Sequence, residues 1–364
     1  MDLELAIDRR ISGELRYYVR RVGEPLLLVE DEIRECVAFV YCNYPDGKRP
    51  IGTAFFLATR IEGTDRFWVF TVTAKHLLRK IKKHSVDQRV HLRLNLRDPA
   101  RIKASVGKED LNEDTAWMDS RLDMWMSHPS DETADVAVLP IAPPDVFRFR
   151  SFDIASSATP EVIRKEGIGV GDEVFIVGLF SNHVGRARNI PIIRIGNIAA
   201  MPEERVSTEN FGDIEAYLIE TRSIGGLSGA PVFAHLSPVR VHDQAIKIAA
   251  DGGGIFRLLG LIHGHFDVKH TNRATLTDEK INMGIAIVVP VSKIIDTINR
   301  PEVLEMKKKH AWHIKKDLLP SEDAAPEGKS SSPGVTRAEF DETLKRVSRK
   351  LKKPSAPGRA KKGT

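Results

Sequence analysis

The sequence predicts an all-β protein: two successive antiparallel six-stranded β-barrels, followed by a C-terminal helix and a basic tail. Three observations carry this. Twelve short runs rich in β-branched and aromatic residues fall into two sets of six, separated by turn residues and charged loops. Long amphipathic helices between those runs are not evident in the pattern, which argues against an alternating parallel sheet. Hydrophobic residues make up 41% of the 364-residue chain, enough for a sizeable core.

Taken in order, residues 1–34 read as a charged, helical extension. The first barrel spans 35–145, with strands expected at 36–41, 52–58, 67–73, 90–96, 124–125 and 136–140. The second spans 146–300, with strands at 173–178, 191–199, 216–221, 231–233, 257–262 and 283–289. A hairpin-like insertion is expected at 239–255. Val291, Ile294, Ile295 and Ile298 recur at i, i+3, i+4 and i+7, the spacing of a short helix packed on the second barrel. Residues 301–364 read as a basic linker and tail. Within it, 321–334 has linker composition, and Phe340, Leu344, Val347 and Leu351 form one apolar stripe of a short helix near 336–353. The last eleven residues read as disordered.

The net charge of +5 is unevenly placed. From Pro301 onward there are 16 Lys and Arg against 9 Asp and Glu, which leaves 39 against 41 in residues 1–300. The basic character belongs to the tail, so nucleic acid is not an expected partner of the folded body, and a protein partner for the tail is. No run of about 18 apolar residues suggests a membrane span. Residues 1–10 are charged throughout and lack the apolar stretch of a secretory signal. Cys36 and Cys42 sit in one β run, ~20 Å apart if extended, too far for a bridge. A reducing, cytoplasmic home is expected.

The most informative segment is Ser223-Ile224-Gly225-Gly226-Leu227-Ser228-Gly229-Ala230-Pro231-Val232-Phe233. Glycines around one serine free the backbone for conformations closed to other residues, and such clusters are otherwise tight turns before strands. A serine hydroxyl is a poor nucleophile without a base. Among twelve histidines, His76 has the best setting, at the end of the β run 67–73 and the start of a helical turn. His84, His91, His128, His183, His310 and His313 read as surface histidines. A base needs a carboxylate to fix its tautomer. Asp135 is a single acid entering an apolar alternating strand, where an unpaired carboxylate would be costly. Asp123, Asp131 and Glu132 lie in more polar stretches, and Asp135 has capping of a turn as its alternative role.

Together these segments resemble the trypsin-like (chymotrypsin-fold) serine proteases, closest to bacterial and HtrA-type protease domains. Thr73-Ala74-Lys75-His76 resembles the family's Thr-Ala-Ala-His. Asp135-Val136-Ala137-Val138-Leu139 resembles its Asp-hydrophobic-Ala-hydrophobic-Leu, and Gly226-Leu227-Ser228-Gly229-Ala230-Pro231-Val232 its serine motif. The order His, Asp, Ser is also the family's, and the likeness covers roughly residues 35–298. It implies a serine endopeptidase acting on protein or peptide through an acyl-enzyme. No cofactor is expected, and no metal, since His263 and His265 share one strand face without a third ligand at recognisable zinc spacing. His76, Asp135 and Ser228 would be catalytic, and the N–H groups of Gly226 and Ser228 would form the oxyanion hole. Lys75, Leu227 and Ala230 depart from the commonest residues of the motifs.

The same resemblance places Arg222 at the floor of the pocket for the residue before the scissile bond, with His263, His265 and Gly284 on its walls. Arg222 with the two histidines suggests a preference for acidic side chains. The alternative function is a catalytically silent protease-fold binding module whose basic tail recruits a partner. An α/β-hydrolase would need Gly-x-Ser-x-Gly, and position 230 is alanine.

Overall fold

A computed structural model describes residues 3–8, 16–21, 31–62, 64, 66–100, 114–181, 183–208, 211–221, 226–237, 239–242, 245–248, 255–272, 277–318 and 348–350. The first unit is built from β1 (Val37–Tyr44), β2 (Gly47–Arg60), β3 (Arg66–Thr73), β4 (Arg89–Asn95), β5 (Thr115–Arg121), β6 (Met126–Ser127) and β7 (Ala137–Leu139). Helix α1 (Lys75–His84) connects β3 to β4. Hydrogen bonding runs in the order β5-β4-β1-β2-β3-β7-β6. This sheet curls into a half-barrel, in keeping with the expected double-barrel fold.

Residues Val37–Tyr44 extend because β-branched and aromatic side chains suit a pleated surface buried on both sides. The turn into β2 needs Gly47, whose φ of +122° lies in the region closed to most side chains. The register shifts between Val40 and Tyr41, a bulge that bends the pair. Phe55 and Phe56 point to opposite faces of β2, yet both are fully buried. Burial on both faces means this strand lies between the first unit's core and the second unit. Phe152 against Phe233, with centroids 4.9 Å apart, is one contact across that seam.

The second unit closes. Strands β8 (Glu173–Gly178), β9 (Ile192–Ala200), β10 (Tyr217–Glu220), β11 (Pro231–Leu236), β12 (Ile255–Asn272) and β13 (Thr277–Pro290) form a barrel in the order β8-β9-β10-β13-β12-β11. Helix α2 (Pro160–Glu166) lies ahead of β8, with Thr159 as its N-cap and Gly167 in the left-handed conformation at its end. The insertion contains the antiparallel pair Val239–His242 and Ala245–Ile248. Helix α3 (Val291–Ile298) buries Val291, Ile294, Thr297 and Ile298, and one apolar core runs through both units.

Three expectations differ. Leu3–Asp8 pairs antiparallel with Arg16–Arg21, so the described part of the lead-in is a strand pair instead of a helix. Leu3, Leu5 and Ile7 alternate with Glu4 and Asp8, a period of two that fits a strand. The linker expected from residue 301 begins as helix α4 (Pro301–Leu318), with proline at its first position and Val303 buried. Ser348–Lys350, inside the expected helix at 336–353, is extended and pairs with Arg66–Trp68 of β3. The linker at 321–334, the rest of 336–353 and the last eleven residues lie outside the described residues. No described helix is long and apolar enough to cross a membrane. Both cysteines are buried and free.

Candidate active site

Helix α1 starts at Lys75 without a side-chain cap from Ala74, so its first N–H groups need acceptors from elsewhere. Asp135, from the segment entering β7, supplies one: the His76 backbone N–H donates to Asp135 Oδ1 at 2.8 Å. The other carboxylate oxygen, Oδ2, lies 2.6 Å from His76 Nδ1. The cap and the histidine contact, alternatives from sequence alone, are therefore made by the same carboxylate. Asp135 is fully buried while the His76 side chain is 26% exposed. Burial works to raise the Asp135 pKa. The imidazole of His76 and the hydrogen bonds from His263 and His76 outweigh it and hold the carboxyl well below the usual carboxylate range. An ionised carboxylate only accepts, so Nδ1 carries the hydrogen and Nε2 is left as the ring's acceptor.

Two of the competing acids, Asp131 and Asp123, are occupied elsewhere. Asp131 accepts from Thr133 and pairs with Lys293 at 2.9 Å, and Asp123 pairs with Arg121. Lys75 Nζ donates to the Glu132 carbonyl at 3.1 Å.

Ser228 arrives from the second unit on a loop tied to the first. Its carbonyl accepts from Thr53 N at 2.9 Å, and Gly229 N donates to Ile262 O at 2.8 Å. Thr53 Oγ1 accepts from Leu179 N at 2.9 Å and donates to Gly226 O at 3.1 Å. Gly226 and Gly229 have φ of +105° and +79°. A Cβ on Gly229 would lie 2.3 Å from Thr53 O, so glycine is required there by space as well as conformation. Among the described residues, the N–H groups of Gly226 and Ser228 donate to no backbone acceptor. The Ser228 hydroxyl donates to His263 O at 3.4 Å, and no hydrogen bond joins it to His76 among the described residues.

The first unit carries His76 and Asp135 and the second carries Ser228, with His263 touching both sides: its Nδ1 lies on Asp135 and its carbonyl accepts from the Ser228 hydroxyl. The fold is chymotrypsin-like. No family model matches the chain, and no curated protein matches it. Among solved structures, it is similar to the MamO protease domain from Magnetospirillum magneticum at 13% identity and a TM-score of 0.37, covering 72% of this chain and 96% of that one. Deg5 aligns at 13% identity and a TM-score of 0.39, over 73% and 88% of the two chains. The Drosophila Grass clip serine protease of the Toll pathway aligns at 12% and 0.40, over 76% and 72%.

Within this chymotrypsin-like body the pocket residues are spread out. His263 sits at a register shift of β12 between Ile262 and Gly264, and its Nδ1 lies 2.6 Å from Asp135 Oδ2. Phe211 covers its ring at 5.4 Å. His265 is half-buried opposite Ala286. Gly284 has a φ of +77°, its carbonyl accepts from Thr221 N at 2.7 Å, and a Cβ there would meet only Thr221 O, at 4.0 Å. Arg222 lies outside the described residues. Contrary to its surface reading, His91 is buried between Asp87 and Asp119, at 2.8 and 2.6 Å, because β4 is covered on both faces.

Sequence reasoning missed the His263–Asp135 contact, Phe211 and Thr53. Only Thr53 left a signal, a polar residue at the head of the apolar run 54–58. Among the described residues, His76, Asp135 and His263 alone converge closely enough to consider a metal. Tetrahedral bonds of 2.0–2.1 Å would set ligand atoms about 3.3 Å apart, whereas both N–O distances are 2.6 Å. That is the length of a charge-assisted hydrogen bond.

Proposed function

We propose that this protein is a serine endopeptidase acting on protein or peptide substrates. The observation that carries the reading is the double hold of Asp135 on His76, one oxygen on the backbone N–H and one on Nδ1. Such a hold fixes the imidazole's tautomer and direction in the way a general base requires.

In this reading Ser228 Oγ attacks the carbonyl carbon while its proton passes to His76 Nε2. The carbonyl π pair moves to oxygen, and the N–H groups of Gly226 and Ser228 hold the resulting anion. His76 then gives the proton to the amide nitrogen as the C–N bond breaks, leaving the acyl-enzyme and a free amine. Water, deprotonated by His76, attacks the ester, and Ser228 leaves with that proton. Gly284, His265 and Arg222 would border the pocket for the residue before the scissile bond.

Hydrolysis of a broad fluorogenic peptide library tests this reading. Cleavage by the full chain, abolished in Ser228→Ala and His76→Ala, is expected, and cleavage that survives Ser228→Ala overturns it. A second reading, a protease-fold module without catalysis, is favoured by one observation: the Ser228 hydroxyl donates to His263 O. Absence of cleavage across the library, with peptides still bound, would select it.

A further inference from the structure

Beside the catalytic histidine, helix α1 presents a second surface that the triad does not use. Lys75, Leu78, Arg79 and Lys82 recur at i, i+3, i+4 and i+7, and so share one helix face. Leu77 and Ile81 point the other way, into the core. The shared face borders a groove of about 680 Å³ between α1 and the β5–β6 connection. Its far side carries Arg89 and Arg121, and its apolar surface comes from Leu78, Leu122 and the buried ring of Trp125.

Charge in this groove is one-sided. Five cations line it against two carboxylates, Asp87 and Asp123. Asp123 is taken by Arg121. Asp87 accepts from Ser85, Asn43 and His91. Among the described residues, Lys75, Arg79, Lys82 and Arg89 have no carboxylate within ion-pair distance. The Lys75 pKa is lowered, first by burial and then by Arg79 beside it, against the opposing pull of Asp135, Glu132 and Asp131 on its other side. Arg79 is held in place, its guanidinium 4.2 Å over the Phe211 ring. Phe211 in turn packs on His263, so the groove adjoins the residues around Asp135.

We propose that this groove is a subsite for acid-rich peptide, taking Asp or Glu side chains on the Lys82 and Arg89 side and an apolar side chain against Leu78 and Trp125. The proposal names the substrate class of the endopeptidase reading and rests on it. Binding to this groove, however, does not require the reaction to proceed.

The test uses the full chain carrying Ser228→Ala and a fluorescein-labelled peptide of alternating Glu and Leu, followed by anisotropy. The same peptide with Gln for Glu, and a single-stranded DNA oligonucleotide, are the comparators. The Glu peptide is expected to bind about tenfold tighter than the Gln peptide at low ionic strength, with the difference shrinking at physiological salt. Lys82→Glu with Arg89→Glu is expected to abolish the preference, and the charge-matched pair Arg164→Glu with Arg186→Glu to preserve it. A melting temperature shared by both double variants excludes misfolding as the cause. Equal binding of the Glu and Gln peptides, a preference untouched by the groove variant, or DNA binding as tight as the Glu peptide overturns the proposal. Failure of the endopeptidase reading shows separately, as loss of cleavage in the unsubstituted chain while peptide binding persists.

Discussion

His263 and His76 hold the same oxygen: each Nδ1 lies 2.6 Å from Asp135 Oδ2, with the two rings 5.6 Å apart and nearly perpendicular. Asp135 has no exposure, so these imidazoles and the His76 N–H are its means of remaining charged. Removing one is costly, because a buried charge that loses a hydrogen bond forfeits roughly 1.5–3 kcal/mol. His263→Ala should therefore lower stability by about 2 kcal/mol in a denaturant titration. His263→Ser, which keeps a donor, should recover part of that loss along with kcat. Equal stability and kcat in both variants would show that the second imidazole is idle.

Asp135→Asn keeps the volume but offers an N–H₂ where a lone pair was needed. It should leave KM within about threefold while kcat falls by about 10⁴, since the tautomer of the base is reversed. Steady-state kinetics on one good peptide substrate separates the two parameters, and a loss confined to KM would remove Asp135 from the mechanism.

Acid sensitivity follows from three depressed carboxyls. In Asp87, Asp131 and Asp135 burial works upward, but hydrogen bonds and cationic partners bring each well below the ordinary value. A carboxyl with a depressed folded-state pKa binds fewer protons folded than unfolded, so stability rises with pH through that window. The contribution is complete above about pH 4 and is lost as pH falls through the folded-state values. Thermal melts should be level near neutrality and drop steeply below about pH 4. Asp131→Asn should make that drop shallower, and an unchanged slope would contradict the assignment.

Lys307 runs the opposite way. Burial lowers its pKa to about 8, and its ammonium lies 5.0 Å over the Phe70 ring. The unfolded chain binds more protons between that value and the ordinary lysine value of about 10.4, so stability rises with pH across this window. Lys307→Met should raise the melting temperature by about 2–4 °C at pH 7 and remove the alkaline rise. A lower melting temperature would mean that the ring contact outweighs desolvation.

Two glycines separate space from conformation. Gly229 and Gly284 both have positive φ, but only at Gly229 would a Cβ strike backbone, at Thr53 O. Gly229→Ala should cost at least about 2 kcal/mol and reduce activity, while Gly284→Ala should cost about 1 kcal/mol from backbone strain alone. Urea unfolding of the two variants side by side checks the ranking.

Much of this arrangement was legible in the chain. Glu173–Gly178 and Val291–Ile298 begin and end where periodicity puts them, because each combines a strong pattern with a clear turn or proline at its edge. His76 and Asp135 were found because each stands where a polar group is conspicuous, at a strand end and within an apolar run. How far the first sheet curls was not legible, since that depends on which edges meet and not on any strand's own pattern. Helix α4 was hidden by its run of lysines from Lys307, which reads as tail composition. The His263–Asp135 contact spans 128 positions and depends on a bulge in β12, a feature with no local signature. In the groove, Lys75, Arg79 and Lys82 share one face of α1, but their relation to Arg89 and Trp125 exists only in the folded chain.

The central claim is that Ser228 is a nucleophile activated by His76. Labelling the full chain with a fluorophosphonate and mapping the adduct by mass spectrometry tests it most directly. A single adduct on Ser228, absent in Ser228→Ala and strongly reduced in His76→Ala, is the predicted result. An unlabelled chain, or labelling that persists in Ser228→Ala, would contradict it.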